Sequence, residues 1–192
     1  APSTAKLIAI SVNEFLKANS LSLNLSKIST PRYTGSGVDT ASKEDVTLLL
    51  DYQNTSTPLR FRAMILFMKD SGLSISDVCN FSLDDYRKAT TRRNSIEEQF
   101  VVFNPINRIK TGTIGYPHIG PEAVSALNLY LNSRDDDLDC LFVNTFGNPI
   151  TPDNIRYQIR GVVVKLGMKK RINCHSFRKF HETYLERATP KN

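Results

Sequence analysis

Apolar side chains recur at helical spacing through most of the chain. Ile8, Val12, Phe15 and Leu16 predict an amphipathic helix within residues 4–19. The period then lapses over residues 20–41, which are rich in Ser, Thr and Gly and contain Pro31 and Gly35-Ser36-Gly37; this reads as a linker. It returns at Val46, Leu49 and Leu50, with Ser42 as expected N-cap and Asp45 completing a capping box. Thr57-Pro58 opens a second helix through Ala63, Leu66 and Phe67, and Gly72 stops it. Ile75 to Asn80 reads as a short helix, followed by Phe81-Ser82-Leu83-Asp84-Asp85. A β-rich run at 99–104 and a partner strand at 113–118 flank a turn around 107–112. Gly120-Pro121-Glu122 opens a helix bearing Ala123, Leu127, Tyr130 and Leu131. A short apolar stretch follows at 141–143, then a helix capped by Thr151-Pro152-Asp153 that ends at Gly167, and a last helix at about 175–187. The pattern predicts an α+β, mostly helical domain over residues 42–192 with a small antiparallel β-sheet. A terminal helix of a preceding domain (1–19) and a linker (20–41) come before it.

Length and composition narrow the class. With 192 residues, 40% apolar and 23% charged, the chain is globular and long enough to bury a core. No apolar run approaches the ~20 residues that cross a bilayer, and no secretory leader is visible, so a cytoplasmic location is expected. The first residue is Ala1, not Met, which reads as a piece of something longer. Cys79, Cys140 and Cys174 are odd in number and far apart, arguing against a disulfide framework. They form no CxxC, and His118, His175 and His181 form no HxxxH, so no metal site and no cofactor is expected. Cys174 beside His175 is no dyad, because neighbours on a helix point about 100° apart.

Charge adds a partner. The net charge is +6 and the pI about 9.3, yet from Ile155 onward ten basic residues face two acidic ones. A basic face of this size fits a polyanion, double-stranded DNA among them, and equally a solvated helical surface.

Three features carry chemistry. His175 and Arg178 stand at i and i+3 of a helix and share a face. Lys110 sits in a glycine-containing turn after a strand. Ser71-Gly72-Leu73-Ser74-Ile75-Ser76-Asp77 stops one helix and starts the next, with Ser74 as N-cap. Together they resemble the tyrosine recombinases, or phage-type integrases, archaeal members above all. The stretch 61–78, Phe-Arg-Ala-Met-Ile-Leu-Phe-Met-Lys-Asp-Ser-Gly-Leu-Ser-Ile-Ser-Asp-Val, looks like the family's first box. Arg108-Ile109-Lys110-Thr111-Gly112 with Pro117-His118-Ile119-Gly120-Pro121 resembles its lysine hairpin and following helix. His175-Ser176-Phe177-Arg178-Lys179-Phe180 resembles its HxxR box.

The resemblance implies DNA strand cleavage and rejoining without metal, through a 3′-phosphotyrosine intermediate, by a tetramer on two duplexes; the fragment alone is expected to be monomeric. It places Arg178 as the phosphate clamp, His175 as hydrogen-bond and proton-transfer partner, Lys110 as general acid, and Asp77 as a residue that orients neighbours. Arg108, Arg156, Arg160, Lys169, Lys170, Arg171 and Lys179 are expected on the DNA backbone. The host would be prokaryotic or archaeal, or carry a viral or plasmid element. Two departures stand out. Ser74 occupies the family's first arginine position, with Arg60, Arg62, Arg87, Arg92 and Arg93 as candidate replacements. The nucleophilic tyrosine is expected beyond residue 192, Tyr184 being a packing residue with Phe177 and Phe180. His118 reads as structural and His181 as surface. A catalytically silent DNA-binding relative, and an unrelated helical nucleic-acid-binding module with a chance HxxR, are the competing readings.

Overall fold

The computed structural model describes residues 18–19, 39–53, 55, 57–91, 100–109 and 112–188. The expected terminal helix (except residues 18–19), the linker up to residue 38, and Arg92, Arg93, Lys110 and Thr111 lie outside these. The chain divides into two units, Ala1–Gly37 and Val38–Asn192, and every element below belongs to the second. They run α1 (Lys43–Asp51), α2 (Pro58–Ser71), α3 (Ile75–Cys79), α4 (Leu83–Thr91), β1 (Val101–Val102), β2 (Ile106–Asn107), β3 (Ile114–Gly115), β4 (His118–Ile119), α5 (Pro121–Asn132), α6 (Pro152–Lys165) and α7 (Cys174–Ala188). The fold is therefore mostly helical with small antiparallel pairings, as the hydrophobic pattern predicts. Among the described residues, no helix is long and apolar enough to cross a membrane.

Local chemistry sets the helix ends. Ser42 and Asp45 close a reciprocal capping box on α1, and Thr151 and Asn154 close another on α6. Pro58 opens α2 and Gly72, at φ +59°, ends it by donating its N–H to the Met68 carbonyl. One helix departs from the sequence reading. Residues 83–91 form α4, which the hydrophobic pattern does not assign, started by the box in which Ser82 N–H bonds Asp85 and Asp85 N–H bonds Ser82 Oγ. Its apolar stripe is thin, only Tyr86 and Ala89 being buried, so hydrophobic period alone does not reveal it.

Helix α2 is the centre. It buries nine of its fourteen residues, too many for an amphipathic surface helix, and α1, α5, α7 and β4 pack around it. Phe67 anchors an aromatic cluster, meeting Phe81, Phe103 and Phe142 edge-on at centroid distances of 5.2, 5.7 and 5.9 Å. The sheet is one long hairpin in two parts. Val101 pairs with Ile119 and Val102 with His118, whereas Ile106 pairs with Gly115 and Asn107 with Ile114. The register slips by one between them, where Asn104 and Pro105 oppose Tyr116. Such a bulge bends the hairpin and accommodates a proline that cannot donate to the ladder.

The far end of α7 closes over the α2 stop. A Cβ at Gly72 would fall on the His181 imidazole, whose ring lies 5.5 Å from that of His118. His181 is thus half-buried and not the surface residue its helical position suggested, because α7 turns that face toward α2. Burial first, and His118 beside it, hold the His181 imidazolium below its ordinary value of 6.5. Tyr184 stacks on Phe180 at 4.3 Å beneath the Lys43 ammonium, on the side of α7 away from Arg178.

Two outcomes are expected. Gly72→Ala should lose about 3 kcal/mol in denaturant unfolding, from left-handed strain plus the clash with His181. Gly147→Ala, at φ +74° with open space around it, should lose only about 1 kcal/mol. A histidine held neutral contributes stability that is present above its unfolded pKa and is lost as pH falls through the lowered folded value. The melting temperature should therefore fall below about pH 6.5, and His181→Gln should flatten that part of the profile.

Candidate functional site

The helix stop at Gly72 and the helix start at Ser74 leave a three-residue link, Gly72-Leu73-Ser74, and a buried carboxylate sits directly behind it. Asp77 is 4% exposed. Its Oδ2 accepts the Ser74 hydroxyl at 2.7 Å and the Ser74 N–H at 3.3 Å, while its own N–H returns a bond to Ser74 Oγ. Oδ1 accepts the Ile109 N–H at 3.0 Å, across 32 positions of sequence. Arg108 completes the group, with Nε 3.6 Å from Oδ2; that distance makes an ion pair and not a hydrogen bond. One carboxylate thus ties the first-box loop to the hairpin immediately before Lys110, which itself lies outside the described residues.

A second carboxylate does the same one turn back. Asp70 Oδ2 accepts the Gly120 N–H at 2.8 Å and Oδ1 pairs with Lys69, fixing the start of α5 and the hairpin's return strand against the end of α2.

Helix α7 carries the other two expected site residues. Asn173 caps it, its side chain accepting the His175 N–H and its own N–H reaching Ser176 Oγ. His175 is exposed. Arg178 is partly covered, with Nε on Glu182 Oε1 at 2.8 Å. Four residues before Arg178 stands Cys174, at the first position of α7. Three residues after it stands His181, against Gly72. Helical spacing sets Arg178 within about 60° of both around the helix. Burial pushes the Cys79 thiol up to about 12 and Cys174 to about 11, which keeps both protonated and unreactive.

Of the candidates for the missing first-box cation, Arg92 and Arg93 lie outside the described residues, and the other three have partners or positions elsewhere. Arg60 lies at the opposite end of α2, buried, its Nη1 donating to the Val143 carbonyl at 2.7 Å and its Nε without a partner. Arg62 reaches Glu122 and the Leu50 carbonyl. Arg87 is exposed on α4. Arg108, expected only on a DNA backbone, is, among the described residues, the basic residue that meets the Ser74–Asp77 pair. Its position was not legible because the hairpin turn, unlike a helix, offers no period from which to read direction.

The remaining basic residues spread out. Arg156 pairs with Asp153, and Lys170 with Asp45 at 2.6 Å. The Arg171 N–H donates to Asp39. Arg160 and Lys169 are exposed and Lys179 half-buried. Among the described residues no group of three or more His, Cys, Asp or Glu side chains gathers as a metal would require.

The profile of the phage integrase family matches residues 40–190. The tyrosine recombinase XerC of Leptospira interrogans is 30% identical over 130 residues, covering 66% of this chain and 38% of its own. The tyrosine recombinase XerD of Listeria innocua is 26% identical over 168 residues, covering 83% of this chain and 52% of its own. The chain thus spans about two fifths to one half of these curated relatives. Among solved structures, the Tn1549 transposon integrase in complex with circular intermediate DNA superposes with a TM-score of 0.72 at 15% identity, over 100% of this chain and 68% of that one. That likeness is one of fold.

Removing the shared carboxylate should free the hairpin. Asp77→Ala is expected to cost about 2–3 kcal/mol, since Ile109 N–H and Arg108 lose a buried acceptor. Amide hydrogen exchange at Ile109 should accelerate at least tenfold, against little change in α5.

Proposed function

Because the chain belongs to the phage integrase family, we propose that it is the DNA-breaking and rejoining domain of a tyrosine-type site-specific recombinase acting on double-stranded DNA. The observation that supports this reading is the assembly of three separated segments around one link. Asp77 holds the hairpin next to Ser74, and α7, which carries His175 and Arg178, packs on α2 with His181 against Gly72. A phosphodiester undergoing substitution gathers negative charge on its non-bridging oxygens, and preorganised cations lower that barrier more than any other single contribution. Arg178 has the planar fork that meets two such oxygens at once.

In the reaction a tyrosine Oη, supplied by residues beyond this chain or by another molecule, forms a bond to phosphorus while the P–O5′ bond breaks. The phenolic proton passes to His175, and Lys110 gives a proton to the departing O5′. The products are a 3′-phosphotyrosine and a free 5′-hydroxyl; the reverse attack by a 5′-hydroxyl rejoins the strand. Exposed Arg160 and Lys169, with Arg156, Arg171 and Lys179, contact backbone phosphates. The full protein works as a tetramer on two duplexes, in the cytoplasm of its host. Ser74 favours a second reading, a DNA-binding relative without cleavage activity, because a hydroxyl bound to Asp77 carries no charge to a phosphate.

A nicked duplex that releases its 5′-hydroxyl fragment traps the covalent adduct and separates the two. The full-length protein should form the adduct, and Arg178→Ala should abolish it with duplex affinity nearly kept. Lys169→Ala should weaken binding and lower the slope of log K against log salt by about one, with cleavage unchanged after correction for occupancy. Intact binding with no adduct supports the silent relative.

A further inference from the structure

We propose that Arg108, delivered by the hairpin, supplies the phosphate-facing cation that the first box lacks at Ser74, with Asp77 as its positioning residue; this rests on the recombinase reading above. Ser74 Oγ and Arg108 Nε both address the same Asp77 oxygen, at 2.7 and 3.6 Å. The serine is too short to project past the carboxylate, and the arginine reaches that same carboxylate from the hairpin.

The hairpin fixes that arrival. Arg108 N–H donates to the Thr113 carbonyl at 2.9 Å, and Ile109 N–H to Asp77 at 3.0 Å, so the backbone on either side of the Arg108 carbonyl is held. The aliphatic stem lies across Gly115 on the facing strand, its Cγ and Cδ 3.5 Å from where a Cβ would stand. The side chain is 19% exposed. Because Nε is in an ion pair with Asp77 and not a hydrogen bond, a ligand oxygen is free to draw the planar guanidinium forward. Asp77 offsets part of the Arg108 charge in the resting protein and keeps it aimed. Serine at position 74 also leaves only one guanidinium competing for that carboxylate.

The test measures adduct formation on the nicked duplex and duplex affinity separately, in the full-length protein. Arg108→Ala should slow adduct formation about 10²–10³-fold with affinity within about threefold. Restoring charge from the other side, Ser74→Arg in the Arg108→Ala background should recover at least about tenfold of that loss. A duplex with a neutral methylphosphonate at the scissile position removes the charge that Arg108 balances, so the penalty of Arg108→Ala should shrink to less than about tenfold. Should Arg108→Ala fail to fold, Arg108→Lys keeps the pair to Asp77 but loses the fork, and is expected to slow the adduct by about tenfold or more. The proposal is overturned if folded Arg108→Ala loses adduct only in proportion to binding, if Ser74→Arg restores nothing, or if the methylphosphonate leaves the penalty unchanged. A wild-type protein that binds DNA yet forms no adduct overturns the recombinase reading, and this role with it; adduct formation that is insensitive to Arg108 overturns this role alone.

Discussion

Both oxygens of a buried carboxylate are occupied at Asp77, by groups from two distant segments: the Ser74 link and the Arg108–Ile109 turn. Burying an ion is costly unless its lone pairs are met, so this group tolerates few arrangements. The link between α2 and α3 is irregular, and so is the chain at Arg108 and Ile109 that meets it. Without the shared acceptor, neither has a reason to stay beside the other. The candidate chemistry depends on their staying together, because a phosphate is recognised by charges converging from several elements.

The core explains why that carboxylate stands where it does. Phe67 lies on α2 one turn before the Ser71–Gly72 stop, and its contacts with Phe81, Phe103 and Phe142 lock α2 to the segment after α3, to the hairpin and to the 141–143 stretch. The same packing that buries apolar surface therefore sets the spacing of the first-box loop and the hairpin. From the other side, α7 seats His181 on the one position of the link with no side chain. Precision at the polar site is inherited from close packing beneath it.

Charge behaves differently from its total. The basic run from residue 155 looks like a single polyanion surface in composition, yet Lys170 is held by Asp45, Arg156 by Asp153 and Arg178 by Glu182. Exposed pairs of this kind contribute little to stability and are readily exchanged for a phosphate. They serve more to orient long side chains than to neutralise them.

Much of the fold is legible in sequence because its signals are local. The capping boxes at Ser42 and Thr151, the Gly72 stop and the shared side of His175 and Arg178 all follow from interactions three or four residues apart, which any short window contains. The box at Ser82 is just as local, but α4 buries too little for its hydrophobic period to support it. What the tertiary structure alone decided are meetings over long separations: Asp77 with Ile109 across 32 positions, Lys170 with Asp45 across 125, and His181 with the stop of α2. A helix period states which residues share a face but not what that face meets. So the residue types needed for phosphate chemistry were readable from the chain, while the identity of the cation beside Ser74 was not, since a hairpin's bulge and docking decide where its arginine points.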